Sequence, residues 1–396
     1  MATLALTKAL LLIVPAVLLA LLVLPARRWR LAVAVPLGVA LAFAASLALP
    51  SGILAYVVSF AIMGSVYALL SLGLNVQWGY TGHLNFGVAA FFAIGAFTSA
   101  LMTVEAPTGI AAQYTQMAFG LGLPFLVGVA AAALVSALLA FLVAVPVLRL
   151  RLDFLAIATI GIAEIIRLIF QNERWLANGP QPLRGIPQPL HCLVRSQGCD
   201  WLPEWAMALF EPLSPRDYPL IYLVIIALFV AVLYLLVERA CRSPWGRMLR
   251  AIRDEEASAA MNGKPVTFVR IQSFVVGAVV MGIAGALYAH YVVTIDYSHF
   301  HALFATFLVW VMLMLGGSGN NRGAVVGGFI VWGVWSGTAF LANAIEPLLA
   351  LIADDLPRRA AYFRWLLVAL LLAGIVLYRP QGLLREEKRV SRYLRE

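Results

Sequence analysis

The sequence predicts an all-α polytopic membrane protein, a bundle of about 10–11 transmembrane helices. Three observations predict it. Of 396 residues, 63% are hydrophobic and 12% charged, whereas a soluble domain is nearer about half apolar. Apolar runs close to the roughly 20 residues needed to cross a bilayer recur along the whole chain. Lysine and arginine gather in alternate connections between those runs, as they do on the cytoplasmic side of membrane proteins.

The first run covers about 10 to 25 and is followed by Arg27, Arg28 and Arg30. A cleaved signal would carry its charge before the apolar stretch, so this reads as a retained helix with its N-terminus outside. Further spans follow at approximately 31–49, 52–74, 86–104, 119–147, 150–170, 219–237, 271–291, 302–316, 323–345 and 362–378. Residues 1–50 form extra N-terminal helices and 51–396 the main transmembrane domain. An odd number of crossings places the N-terminus in the periplasm and the tail 379–396 in the cytoplasm of a bacterial inner membrane. Arg149, Arg151, Arg322 and the tail bases then fall inside together with Arg27–Arg30. The net charge of +9 is explained by these loops and calls for no nucleic acid partner.

The longest charged interruption, 238–270, also faces the cytoplasm and carries seven bases, from Arg239 to Arg270. It reads as two short helices. Ser243 suits an N-cap and Pro244 the first helical position, with Met248, Leu249 and Ile252 at helical spacing. A second start follows at Asp254, where Glu255 and Glu256 complement the positive end of the helix dipole. Ala257, Ala260 and Met261 make a small apolar face, Asn262-Gly263 stops the helix, and Pro265 prevents its continuation. By spacing alone this element either enters a groove on a partner or rests on the membrane surface.

Between the third and fourth spans lies 75–87, NVQWGYTGHLNFG, polar and glycine-studded without formal charge. Irregular backbone at membrane depth survives only where protein or a wet cavity satisfies it. Asn75, Gln77, Tyr80, Thr81, His83 and Asn85 would line a translocation pathway on that reading; the alternative is an ordinary turn-rich loop. The longest external loop, 171–218, holds Cys192 and Cys199. In an oxidising periplasm these form a disulfide, two free thiols being the alternative.

Other polar features point away from chemistry. Gly316–Gly328 lacks the Lys-Ser/Thr ending of a phosphate loop, and close helix packing accounts better for its glycines. Glu164 and Arg167, three apart on one helical face, read as a structural pair. Asp296, His290, His299 and His301 show no metal-ligand spacing and fit interfacial polar residues. No nucleophile with its base is apparent.

Five blocks carry a resemblance. GYTGHLNFGVAAFFAIGAFTSA, NGPQPLRGIPQP, SPWGRMLRAIRDEEASAAMNG, GGSGNNRGAVVGG and YRPQGLL are similar, in order, to the LivM-type permease subunits of branched-chain amino acid ABC importers. Asn85-Phe86, Val88 and Gln188 depart from the commonest residues there. The resemblance implies a type II importer permease-like bundle that passes branched-chain amino acids or a related small polar solute such as urea, short amides or aromatic acids. It implies four kinds of neighbour: a LivH-like second permease, two ABC ATPase subunits, a periplasmic solute-binding protein and the lipid bilayer. It also implies that 238–270 docks an ATPase through Asp254–Gly263, that this chain binds no cofactor, and that its partners hydrolyse ATP. A competing class, an ion-gradient-driven transporter, would use carboxylates buried near the midplane, of which Glu164 is the main candidate.

Overall fold

Runs of leucine, valine and alanine that cross lipid must satisfy every backbone group internally, and a helix does so within one segment. The computed structural model describes residues 2–23, 36, 38–40, 42, 50–109, 115–195, 210–350, 363–379 and 381–386. Over them run α1 (Ala2–Val23), α2 (Ser51–Leu74), α3 (Val88–Thr103), α4 (Phe125–Val147), α5 (Leu152–Asn172) and α6 (Tyr218–Arg242). Two short helices follow, α7 (Pro244–Asp254) and α8 (Glu256–Met261), then α9 (Val266–Val292), α10 (Leu308–Gly316), α11 (Asn321–Ala350) and α12 (Phe363–Tyr378). A helix lies over every expected span except 31–49, which falls almost wholly outside the described residues. Among the described residues, four helices are long and apolar enough by themselves to cross a membrane. The all-α polytopic class therefore holds.

The centre of the bundle is α9, packed on α3, α4 and α2, while α11 lies against α2 and α10. Small residues permit this approach, since between membrane helices van der Waals contact replaces hydrophobic drive. A Cβ at Gly95 or Gly285 would stand 1.9 and 2.1 Å from the facing carbonyls of Gly282 and Phe92. The glycines of 316–328 act similarly: a Cβ on Gly327 would lie 2.0 Å from the Met312 carbonyl. Close packing is thus their role, as the sequence suggested.

Two local departures from expectation have simple causes. The segment 75–87 is not irregular throughout. Asn75–Gly79 continues α2 as one π turn, so only the stretch after it leaves helical geometry. The ninth span likewise opens with a π turn, Leu303–Phe307, before α10.

At the end of the bundle away from α7 and α8, segment 178–189 is held against the end of α9 and the residues that follow it. His290 is buried, with Nδ1 2.7 Å from the Pro187 carbonyl and Nε2 2.9 Å from Ser99 Oγ. Leu183 and Ile295 exchange backbone bonds of 2.8 and 3.0 Å. Asp296 caps the Tyr297–Phe300 turn by accepting from the Ser298 N–H at 2.8 Å. Among the described residues no three of His, Cys, Asp and Glu are placed to hold a metal. Glu164 and Arg167 pair along α5, Nε donating at 3.1 and 3.0 Å to the two carboxylate oxygens, with the guanidinium over the Tyr297 ring. Cys192 opens a four-residue helix and is disulfide-bonded; Cys199 lies outside the described residues. Cys241 is a buried free thiol.

Candidate functional site

The site is built at the opposite end, where α7 and α8 meet segment 75–87, the 316–322 turn and the tail. Ser243 Oγ accepts from the Trp245 N–H at 3.2 Å, and Pro244 starts α7, as its position predicts. The helix buries Leu249 and Ile252 and turns its other side outward. Its end differs from expectation. The Glu255 N–H still bonds to the Ala251 carbonyl at 3.1 Å, so Asp254 is the last residue of α7 and not the first of the next helix. Glu255 is extended, at φ −159°, and α8 starts at Glu256.

The apolar face expected on α8 stands in the open. Ala257 and Ala260 are exposed, Met261 is 88% exposed, and Ala259 alone in α8 is buried. Gly263 adopts φ +70°, the left-handed conformation that favours glycine, and its N–H bonds to the Ala260 carbonyl at 2.9 Å, ending the helix.

Behind α8 lies a knot of buried polar side chains. Asn75 donates from Nδ2 to Asn321 Oδ1 and accepts the Gly319 N–H at Oδ1, both at 2.9 Å. Gln77 donates to the Phe274 carbonyl at 2.7 Å and accepts from Asn85 Nδ2 at 2.6 Å. Asn85 also accepts the Gly87 N–H at 2.7 Å, and its carbonyl accepts Trp310 Nε1 at 3.1 Å. Thr81 Oγ1 donates to the Gln77 carbonyl at 2.8 Å and shares a hydrogen bond of 2.6 Å with Ser273. Tyr80 is buried under the Arg250 guanidinium. The structure thus brings together Asn75, Gln77, Tyr80, Thr81, His83 and Asn85, all six buried, their polar groups largely met by protein.

Two arginines join this knot to the short helices. Arg270, one turn into α9, donates from Nε to His83 Nε2 and from Nη1 to Glu256 Oε1, each at 2.7 Å. His83 is 2% exposed. Burial, reinforced by the adjacent Arg270 charge, pushes its pKa down to about 3 and keeps the ring neutral, so Nε2 accepts. The protonated Nδ1 has no partner among the described residues. Arg253, near the end of α7, donates to the Gly79 carbonyl at 2.6 Å and pairs with Glu386 of the tail at 3.0 Å. The tail is strapped down by the Leu383 and Leu384 N–H groups, which bond to the Leu315 and Gly316 carbonyls at 2.8 and 3.0 Å.

Sequence reasoning found the short exposed helix and the polar segment but not the arginines between them. Arg270 reads in one dimension as a positive-inside residue, and nothing local marks Glu386 as the partner of Arg253. The arrangement is a continuous chain of contacts: Glu256 of α8 bonds to Arg270, Arg270 to His83, and Gln77 of the preceding turn to the Phe274 carbonyl of α9.

Residues 56–375 match the family described as branched-chain amino acid transport system / permease component. The chain is 31% identical over 334 residues to the high-affinity branched-chain amino acid transport system permease protein LivM of Salmonella typhimurium, covering 83% of this chain and 69% of that one. It is 30% identical over the same length to the corresponding protein of Escherichia coli, with the same shares covered. No solved structure matches the chain. A multi-pass helical bundle with a charged two-helix segment and a buried polar turn, matched over most of its length, belongs to the family of branched-chain amino acid transport system permease components.

Proposed function

We propose that this chain is the membrane-spanning subunit of an ATP-driven importer that passes branched-chain amino acids, or a closely related small polar solute, across a bacterial inner membrane. The N-terminus lies in the periplasm and the tail in the cytoplasm. A LivH-like permease completes the pathway, a periplasmic binding protein delivers the solute, and two ATPase subunits dock beneath. The observation that carries this reading is the bridge formed by Arg270. It ties Glu256 on the exposed docking helix to His83 in the buried polar knot, the link needed if motion enters from outside the chain. The pairing of Glu164 with Arg167 also weighs against a gradient-driven mechanism, which needs a carboxylate free to bind the coupling ion.

In the working cycle, closure of the ATPases moves α8 with Glu255 and the Gly263 turn. Arg270 and Arg253 carry that displacement to His83 and to the Gly79 end of the π turn. Asn75, Gln77, Tyr80, Thr81 and Asn85 then exchange partners and open a path for the solute. Glu255→Arg, Met261→Arg or Gly263→Trp should abolish uptake and lower ATPase co-purification while membrane insertion stays intact. Normal transport in all three variants would overturn the docking assignment.

A further inference from the structure

A lateral groove of about 490 Å3 opens beside the coupling segment. Its walls come from four elements: Phe141 of α4, Ala240 of α6, Trp245 of α7, and the Phe268–Val276 stretch of α9. Phe141 and Phe268 are 51% and 60% exposed. Within it Trp245 Nε1 donates to Gln272 Oε1 at 3.1 Å. On α9 the lining runs eight residues inward from Phe268, about 12 Å. Phe141 lies six residues from the end of α4, about 9 Å. These depths match one leaflet, whose hydrocarbon is about 15 Å thick.

Each of the four elements also meets the membrane edge with an exposed base. Arg149 follows α4, Arg239 lies in the last turn of α6, Arg247 lies on α7 and Lys264 precedes α9. None of the four makes an ion pair among the described residues, unlike Arg242, Arg253 and Arg270 in the same segment. An apolar slot one leaflet deep, whose lining residues Ala240, Trp245 and Phe268 stand one, two and four positions along the chain from exposed bases and which a tryptophan closes at the interface, has the complementarity of one molecule class. We infer that the groove binds an acidic phospholipid, its phosphate among these bases and one acyl chain along Phe141, Trp245 and Phe268. Because Trp245 stands in the first turn of α7, the lipid steadies the start of the coupling segment. The inference rests on the cytoplasmic placement of this face.

The test uses the assembled importer in nanodiscs containing brominated phosphatidylglycerol or brominated phosphatidylcholine. The fluorescence difference between the unaltered protein and Trp245→Phe isolates quenching of that one ring. Quenching by the acidic lipid should saturate at a mole fraction at least about tenfold lower than for the zwitterionic lipid, given the attraction of several bases. Arg239→Gln with Arg247→Gln should remove that difference, and Ala240→Phe, which fills the slot, should remove quenching by both lipids. Equal quenching by the two lipids would overturn the proposal. So would displacement of the lipid by millimolar inorganic phosphate, which marks a phosphate site without a lipid slot, or quenching that is seen with this chain alone in the same nanodiscs but absent from the assembled importer, which marks a protein interface. Labelling of Met261→Cys from either side reports the membrane orientation separately, so an inverted face would not be mistaken for an empty groove.

Discussion

Replacing Arg270 by methionine keeps the aliphatic stem and removes the guanidinium that spans Glu256 and His83. The arginine side chain is 13% exposed and its Glu256 partner 54%, so the two contacts are not equal. The half-exposed contact to Glu256 contributes less than about 1 kcal/mol. The bond to the buried His83 is charge-assisted, and its loss leaves an acceptor without water, a cost of about 1.5–3 kcal/mol. A loss of about 2 kcal/mol corresponds to a roughly 30-fold change in the population of an opened 80–87 turn. Hydrogen exchange of peptides covering that turn should accelerate by this order in the assembled importer. Transport per ATP hydrolysed, measured in proteoliposomes, should fall while ATPase subunits still bind, because α8 keeps its exposed face. Arg270→Lys should recover only part of the coupling, since one ammonium does not reproduce the fork that reaches both partners. Unchanged exchange together with an unchanged transport-to-ATP ratio in Arg270→Met would refute the transmission route.

Acid should weaken the same turn. The pKa of His83 is about 3 in the fold against about 6.5 in an unfolded chain. Between these values the unfolded state binds more protons, so this contribution is fully present above about pH 6.5 and is lost as pH falls towards 3. Thermal melts at pH 7 and 5 should therefore differ less in His83→Gln than in the unaltered chain. Gly327→Ala places a Cβ 2.0 Å from a backbone oxygen, which forces α11 from α10 and should cost about 3 kcal/mol. Gly337→Ala, with nothing within 4 Å, should be tolerated, and melting in detergent compares the two. Glu386→Ala should cost under about 1 kcal/mol, because the Arg253 bond to Gly79 remains, yet it should speed proteolysis of the tail.

Much of this architecture is legible in one dimension because its causes are local. An apolar run of bilayer length has one solution in lipid, and Ser243-Pro244 and Asn262-Gly263 announce helix ends through their own backbone preferences. The glycines of 316–328 advertise close packing in the same way. The boundary near Asp254 misled for an equally local reason. Acidic residues suit a helix start, but the Ala251 carbonyl still had a donor in Glu255, so α7 persisted.

What the sequence determined by itself is the class of structure, the order of its spans and the position of a solvent-facing helix between two of them. The tertiary structure alone decided who satisfies whom. Asn75 is completed by Asn321, 246 positions away, and His83 by Arg270, 187 positions away. Lipid demands that every buried polar group find a partner, but which one it finds depends on how closely α2, α9 and α11 approach. That distance is set by the summed packing of many small side chains, not by any residue near the polar group in the chain.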